Sequence, residues 1–459
     1  MTHRLAKRPL VRSVLALCSS AVFGRLMGMI YRVWLVRVAG QDTIGLVQLV
    51  MPIYRVARSI ATLGMPVAIA KFTAERSALA RHPDFTPYRI GLRLVLLASL
   101  AGFLIQALFS RFWAYGVLLD GRTEHTVILL AVLLVPVAIS AAMRGALQGL
   151  QKQSYLAGAD ILEVLVRIPI TLVLAKAALP WGPEWAAAAV AIGFIAGELG
   201  SIVLLKLGMR RVRIRRTSGS GKATVPRRTA CTLSAPLMTR DLLKLGIPLM
   251  LTGVANNVMS LVTVAAIPRM LQNAGLTLAE ATRSYGRLSG MAVPTLYMPM
   301  VLIFPLTQVV LPEITRLTAQ PDGRGKPQIR KLLAKVYGST SLIILLVVPL
   351  LWFQAERLAG LLYGDATVGK LIRPLAFAAP CAYYGAVSAG VLYGLGKTNA
   401  TMLSSLTGNM VRLALVYLLA GRPQWGITGA LWAFIADYAV TAVIEIVVLV
   451  RVMQRLGKS

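Results

Sequence analysis

The chain has 459 residues, of which 57% are apolar and 14% charged, against roughly 25% charged in an ordinary soluble domain. Its 49 Lys and Arg outnumber 17 Asp and Glu, for a formal net charge of +32. The apolar content excludes a soluble enzyme, and the basic residues fall in short groups between long apolar runs, the pattern of a polytopic membrane protein rather than of a nucleic-acid binder.

A helix needs about 20 apolar residues to cross a hydrocarbon core of roughly 30 Å, because lipid offers no partner to an open backbone amide. Twelve runs meet that requirement, the first six at residues 11–37, 44–70, 90–118, 126–150, 155–179 and 185–207. The second six lie at 243–270, 288–312, 332–355, 369–395, 398–420 and 426–450. The predicted fold is all-α, with two six-helix lobes at 1–207 and 243–459 joined by a basic cytoplasmic linker at 208–242. In the first run, Leu17 before Cys18 is not the small residue that a lipoprotein cleavage site wants, so the segment is expected to be retained. Cys18, Cys231 and Cys381 show no paired spacing and the three histidines are scattered, so no disulfide framework, metal site or cofactor is expected.

Twelve spans put both termini on one side. With that side cytoplasmic, 32 of the 49 cations are inner, ten are outer and seven lie within spans, which sets the orientation. The densest group, from Arg210 to Arg228, has no aromatic platform, so it reads as a solvated linker near anionic headgroups and not as a nucleic-acid site.

Sliding the chain by 245 residues lays 141–175 over 386–420 with ten identities in 35 positions. Lys152 then meets Lys397, and Arg167 meets Arg412. A shift of six spans preserves direction across the membrane, so the halves are parallel repeats, and a site open to one side at a time is expected between them.

The seven intramembrane cations are Arg25, Arg32, Arg55, Arg58, Arg167, Arg373 and Arg412. Arginine at the bilayer centre costs at least about 2.5–3.5 kcal/mol, which makes each a functional candidate. Arg25 and Arg32 share a helix face, as do Arg55 and Arg58. Glu163, four residues before Arg167, predicts a structural salt bridge. Asp160, Glu198, Asp437 and Glu445 are the other acids in the spans. Arg25 and Arg58 have no acid nearby in sequence, which predicts a hydrated cationic cavity. Guanidinium binds phosphate bidentately, so that cavity suits a phosphate-bearing anion. The candidate substrate-binding set is Arg25, Arg32, Arg55, Arg58 and Arg167, with Glu163, Pro66 and Arg412 in structural or gating roles. Pro66 is one of ten prolines in the spans, each of which removes a helix hydrogen bond and permits bending. No glycine-rich phosphate loop with Lys and Ser or Thr occurs, which speaks against direct ATP hydrolysis.

The run Gly24, Arg25, Gly28, Tyr31, Arg32, then Gly45, Pro52, Tyr54, Gly64, Met65, Pro66 to Lys71, Ala74 and Glu75 resembles the opening of the stage V sporulation protein B family. Arg144, Gly145, Gln148, Gly149, Glu163 and Arg167, and later Tyr285, Gly286, Gly290, Met291, Pro294, Pro312 and Glu313, extend the resemblance over nearly the whole chain. That group belongs to the multidrug, oligosaccharidyl-lipid and polysaccharide exporter superfamily. The resemblance implies two six-helix lobes, alternating access and no enzymatic activity. It also implies movement of an undecaprenyl-diphosphate-linked saccharide to the outer leaflet of a bacterial plasma membrane, for peptidoglycan, polysaccharide or spore cortex. The expected partners are this lipid-linked anionic glycan, membrane lipids and either a monovalent cation or the membrane potential. Two other readings are a multidrug or cation antiporter, which would use Asp160 or Asp437, and a non-transporting cell-wall assembly factor. A membrane enzyme would need paired carboxylates at a membrane face, and Asp241, Glu313 and Asp322 form no such pair.

Overall fold

The computed structural model describes residues 3–80, 83–218, 235–304, 314 and 325–458, and every regular element among them is helical. α1 (His3–Thr62) carries the first predicted span and most of the second, whose end lies past positive-φ Leu63 and Gly64 in the next helix, and the run breaks at Gly40, with φ 79° and ψ 175°. Unbroken, a helix of that length would measure about 90 Å, some three times a hydrocarbon core. The break therefore makes two spans of it, and a glycine stands there because positive φ costs an L residue about 1–2 kcal/mol.

α2 (Met65–Ala80), α3 (Thr86–Leu108), α4 (Glu124–Gly149), α5 (Gln153–Ala178) and α6 (Pro183–Ser218) complete the first half. The second half opens with α7 (Ala235–Asn273), α8 (Leu278–Tyr285), a π-helical segment Gly286–Ala292 and α9 (Val293–Tyr297). The end of the eighth predicted span, residues 305–312, lies outside the described residues. α10 (Gly325–Phe353), α11 (Ala355–Tyr363), α12 (Gly369–Leu375), α13 (Ala378–Gly394), α14 (Thr398–Leu415) and α15 (Gly426–Lys458) follow. Among the described residues, eight helices are long and apolar enough to cross a membrane, or nine if α12 and α13, bent by 58°, are counted together as one span. The predicted linker at 208–242 is partly helical: α6 continues to Ser218 and α7 begins at Ala235. Arg, Met and Leu are good helix formers, and hydropathy does not register that.

The chain packs as two compact units, residues 1–28 with 49–258 and residues 29–48 with 259–459. In the first, Met65, Ala68 and Ile69 of α2 bury against Ala138, Ala142 and Ala146 of α4 and against Met238 and Leu242 of α7. In the second, buried tyrosines satisfy carbonyls around the π-helical segment: Tyr363 donates to Met291 O at 3.1 Å and Tyr383 to Leu296 O at 2.7 Å.

The repeat read from sequence is present in the hydrogen bonding. At the end of α4, Lys152 N donates to Leu147 O and Gln151 N to Gln148 O, both at 2.9 Å. At the end of α13, Lys397 N donates to Leu392 O at 2.8 Å and Gly396 N to Tyr393 O at 3.0 Å. The left-handed residue of this helix-ending turn is Gln151 (φ 56°) in one half and Gly396 (φ 70°) in the other. The symmetry also reaches past the stretch legible in sequence. Asp120 caps a short 3₁₀ turn by accepting from Arg122 N, and Asp365, 245 residues later, accepts from Thr367 N.

Asp365 sits in an ionic knot of the second unit. It accepts from Gln41 and pairs with Arg287 at 3.2 Å, and Asp42, next to Gln41 in α1, takes the bidentate pair from Arg283 at 2.8 and 2.9 Å. Burial alone would raise its carboxyl, but the Thr367 hydrogen bonds, Gln41 and the Arg287 guanidinium outweigh burial and hold it below the ordinary carboxylate range.

Two outcomes follow. Gln151→Gly is expected to stabilise and Gly396→Ala to destabilise the protein by about 1 kcal/mol each, because only glycine holds positive φ without strain; thermal unfolding in detergent measures both. A depressed carboxylate contributes stability that is complete above its unfolded value and is lost as pH falls through the folded value. Acid titration of the melting midpoint should therefore fall less below pH 4 in Asp365→Asn than in wild type.

Candidate functional site

The first unit contains a cavity of about 370 Å³. α1 supplies Tyr54 and Arg58, α2 supplies Pro66, and α4 supplies Ser140 and Arg144. Asp160, Glu163 and Arg167 come from α5, and Phe194 and Glu198 from α6. Close packing of the last two helices assembles the wall. A Cβ at Gly197 of α6 would lie 2.8 Å from Glu163 O and 2.9 Å from Arg167 Cβ, so only glycine lets α6 approach here.

The charges form a chain. Arg167 donates to Glu163 Oε1 at 3.0 Å and its guanidinium lies 5.1 Å from the Phe194 ring centroid. Glu163 Oε2 accepts from Arg144 at 3.4 Å, so one carboxylate bridges two guanidiniums. Arg144 also pairs with Asp160 and donates to Ser201 at 2.9 Å. Glu198, nearly buried, takes a hydrogen bond from Ser140 and lies in the field of Arg144, Arg58 and Glu163. A desolvated charge costs several kcal/mol unless it is paired and hydrogen-bonded, and this network supplies both conditions for Arg144 and Arg167. Arg58 differs. It is exposed to the cavity, within hydrogen-bonding reach of the Tyr54 hydroxyl, and has no ion pair among the described residues.

The predicted site residues divide accordingly. Arg58, Arg167, Glu163 and Pro66 meet at this cavity, whereas Arg55 is exposed and does not line it. Arg32 belongs to the second unit, near Tyr363. The side chain of Arg25 lies outside the described residues. Arg412 also lies in the second unit, 3.0 Å from Asp437 and 4.8 Å from the Phe434 ring centroid. The expected cationic cavity is instead charge-balanced in its described lining: Arg58, Arg144 and Arg167 face Asp160, Glu163 and Glu198. The balancing acids come from α5 and α6, about 100 residues and more from Arg58 in sequence, and so were invisible to a search for neighbouring acids. Counting cations by side also placed Arg144 with the inner segments, whereas its guanidinium turns into the cavity. The sequence signal that could have found it is the i, i+3 spacing of Asp160 and Glu163, two acids on one face of a span whose one arginine, Arg167, can take only one of them.

The second repeat varies the theme. The position equivalent to Arg144 is Ala389, and Gly408 stands where Glu163 would be. A Cβ at Gly408 would lie 2.3 Å from Asp437 Oδ1, so the carboxylate for Arg412 arrives from α15 in space that this glycine leaves open. Glu445, also on α15, is buried, accepts from Ser404 at 3.0 Å, and leaves Oε2 without a hydrogen bond.

Comparison with known proteins agrees with this architecture. The family described as polysaccharide biosynthesis protein matches residues 10–318. Stage V sporulation protein B of Bacillus subtilis is 26% identical over 96% of this chain and 83% of its own. A multidrug-resistance MATE transporter of the MOP superfamily in an inward-facing conformation superposes with a TM-score of 0.72 at 13% identity, covering 95% of this chain and 96% of its own. A MOP-superfamily transporter from Pyrococcus furiosus, described as having a binding pocket of reverse polarity, gives 0.63 at 14% identity over 97% and 96%. The last two establish the fold.

If Glu163 bridges Arg144 and Arg167, replacing either end of the Glu163 to Arg167 pair strands a partly buried charge. Glu163→Gln and Arg167→Gln should each destabilise the protein, and the double variant should be less destabilised than their sum by about 0.5–3 kcal/mol. A double-mutant cycle on thermal unfolding measures that coupling, and additivity within about 0.3 kcal/mol would contradict the bridge.

Proposed function

The chain belongs to the polysaccharide biosynthesis protein family, and on that premise we propose that it is a flippase for an undecaprenyl-diphosphate-linked saccharide. Movement runs from the inner to the outer leaflet of a bacterial plasma membrane by alternating access of the two six-span lobes, residues 1–207 and 243–459. The observation that carries this reading is Arg58, a guanidinium in a cavity whose other two arginines are already tied to carboxylates. It is available to take a diphosphate through two parallel N–H···O contacts. Arg144 and Arg167, held by Asp160 and Glu163, offset two of the three carboxylates that the diphosphate meets as it enters. Tyr54 fixes the arginine's direction. In this reading Arg25, Arg32 and Arg55 of α1 are further candidate contacts for the anion. Coupling runs through a monovalent cation or the membrane potential, and Glu445, with one carboxylate oxygen open, is the acid of the second unit that supports an ion-coupled cycle.

One observation favours a second reading. Asp160, Glu163 and Glu198 give the cavity three carboxylates, and a cation or multidrug antiporter works through such groups. The two readings divide on which charge is essential.

Reconstitution into vesicles with a labelled lipid-linked oligosaccharide separates them. Arg58→Gln should lower the translocation rate about tenfold or more, the scale of one lost charged hydrogen bond, while Asp160→Asn stays within about threefold of wild type. Loss on Asp160→Asn with unchanged transport in Arg58→Gln would favour the antiporter.

A further inference from the structure

A second cavity of the first unit, about 250 Å³, lies beside the first turns of α3 and the C-terminal part of α6. Tyr88, Met143 and Met209 form an apolar wall continuous with a core cluster that includes Leu147 and Leu205. Three cations face that wall: Arg89 from α3, and Lys206 and Arg210 from α6. None has an ion pair among the described residues. Asp84, the acid nearest in sequence, is committed to Arg76 at 2.6 Å and to the backbone and hydroxyl of Thr86.

This arrangement is unfavourable as it stands. Lys206 and Arg210 are four residues apart on one helix, as are Arg89 and Arg93 on the other, and like charges at that spacing repel. Arg89 adds repulsion across the gap. A bias of positive charge toward one membrane side requires cations on these helix ends. It does not require three of them to converge on one cavity with an apolar back wall. A ligand that is anionic at one end and apolar at the other would turn the repulsion into attraction, and both cavity features match it at once. The cavity shares no lining residue with the one that holds Arg58.

We propose that this cavity is a binding site for the phosphate headgroup of an anionic phospholipid. Arg89, Lys206 and Arg210 hold the phosphate, and Tyr88, Met143 and Met209 cover the glycerol and the first methylenes of the acyl chains. Basic pockets between spans on the cytoplasmic side are suited to such headgroups, and each cation near the surface contributes about a fivefold gain in affinity. Occupancy would brace α3 against α6.

The test uses delipidated full-length protein in detergent, titrated with phosphatidylglycerol, phosphatidylcholine or inorganic phosphate. The readouts are the thermal midpoint and the number of lipids retained in native mass spectrometry. Phosphatidylglycerol should raise the midpoint and leave at least one retained lipid in wild type and in Arg58→Gln. The triple variant Arg89→Gln, Lys206→Gln, Arg210→Gln should bind it about 100-fold more weakly, three fivefold losses compounded. If the triple variant does not fold, Arg210→Gln alone should show about a fivefold loss. Equal retention by wild type and the charge variants would overturn the proposal. An equal midpoint shift from millimolar inorganic phosphate would also overturn it, by showing a site for free phosphate rather than lipid. So would an equal response to phosphatidylcholine, by showing that the net charge of the lipid is irrelevant.

Discussion

A guanidinium packed away from water must find an anion, and in the first unit Glu163 meets that demand for two arginines at once. Its two oxygens reach Arg167 at 3.0 Å and Arg144 at 3.4 Å, while Asp160 takes the remaining side of Arg144. α6 closes the wall beside this pairing, lying so near that a Cβ on Gly197 would sit 2.8 Å from the Glu163 carbonyl oxygen. Once those two arginines are neutralised in place, the cavity can remain polar without the cost of an uncompensated charge. Arg58, in the field of Glu198 but with no ion pair among the described residues, is left as the guanidinium that no carboxylate holds. The proposed chemistry rests on that difference between paired and unpaired arginines rather than on the number of arginines.

The two halves show how a repeat diverges without losing its scaffold. The helix-ending turns at Gln151 and Gly396 and the caps at Asp120 and Asp365 keep the same hydrogen bonds at a constant offset. Arg167 and Arg412 each lie over a phenylalanine ring, at 5.1 and 4.8 Å from its centroid. The carboxylates, however, have moved. Glu163 lies one turn before its arginine, whereas Asp437 reaches Arg412 from the next helix and fills the space beside Gly408. Without a counterpart of Arg144, the second half builds a closed pair instead of an extended network. Such divergence suits a transporter in which one half receives an anion and the other serves a different task.

Much of this was legible before any coordinate. Hydropathy located most of the helices, because lipid forces every span to be long, apolar and internally hydrogen-bonded, but not the ends of α1, α6, α7 and α10, which run seven to eleven residues past the apolar stretches. The repeat was legible because Lys152 with Lys397 and Arg167 with Arg412 are matches that an apolar alphabet does not produce by chance. The salt bridge of Glu163 with Arg167 followed from helical spacing alone. What sequence did not disclose was long-range pairing. Arg144 looked like one more orienting cation until α5 brought Asp160 and Glu163 against it. Arg58 looked as though it had no acid near it until α6 delivered Glu198. The kink at Gly40 was indicated only by the gap between two apolar runs, since hydropathy carries no torsion angles.

The central claim is that Arg58 receives the anionic headgroup inside a cavity whose other arginines are neutralised. A structure solved with an undecaprenyl-diphosphate-linked saccharide bound tests it most directly. The account predicts diphosphate density within hydrogen-bonding distance of the Arg58 guanidinium, with the Arg144, Glu163 and Arg167 bridge intact. A diphosphate bound away from this cavity, with Arg58 still turned to Tyr54, would contradict it.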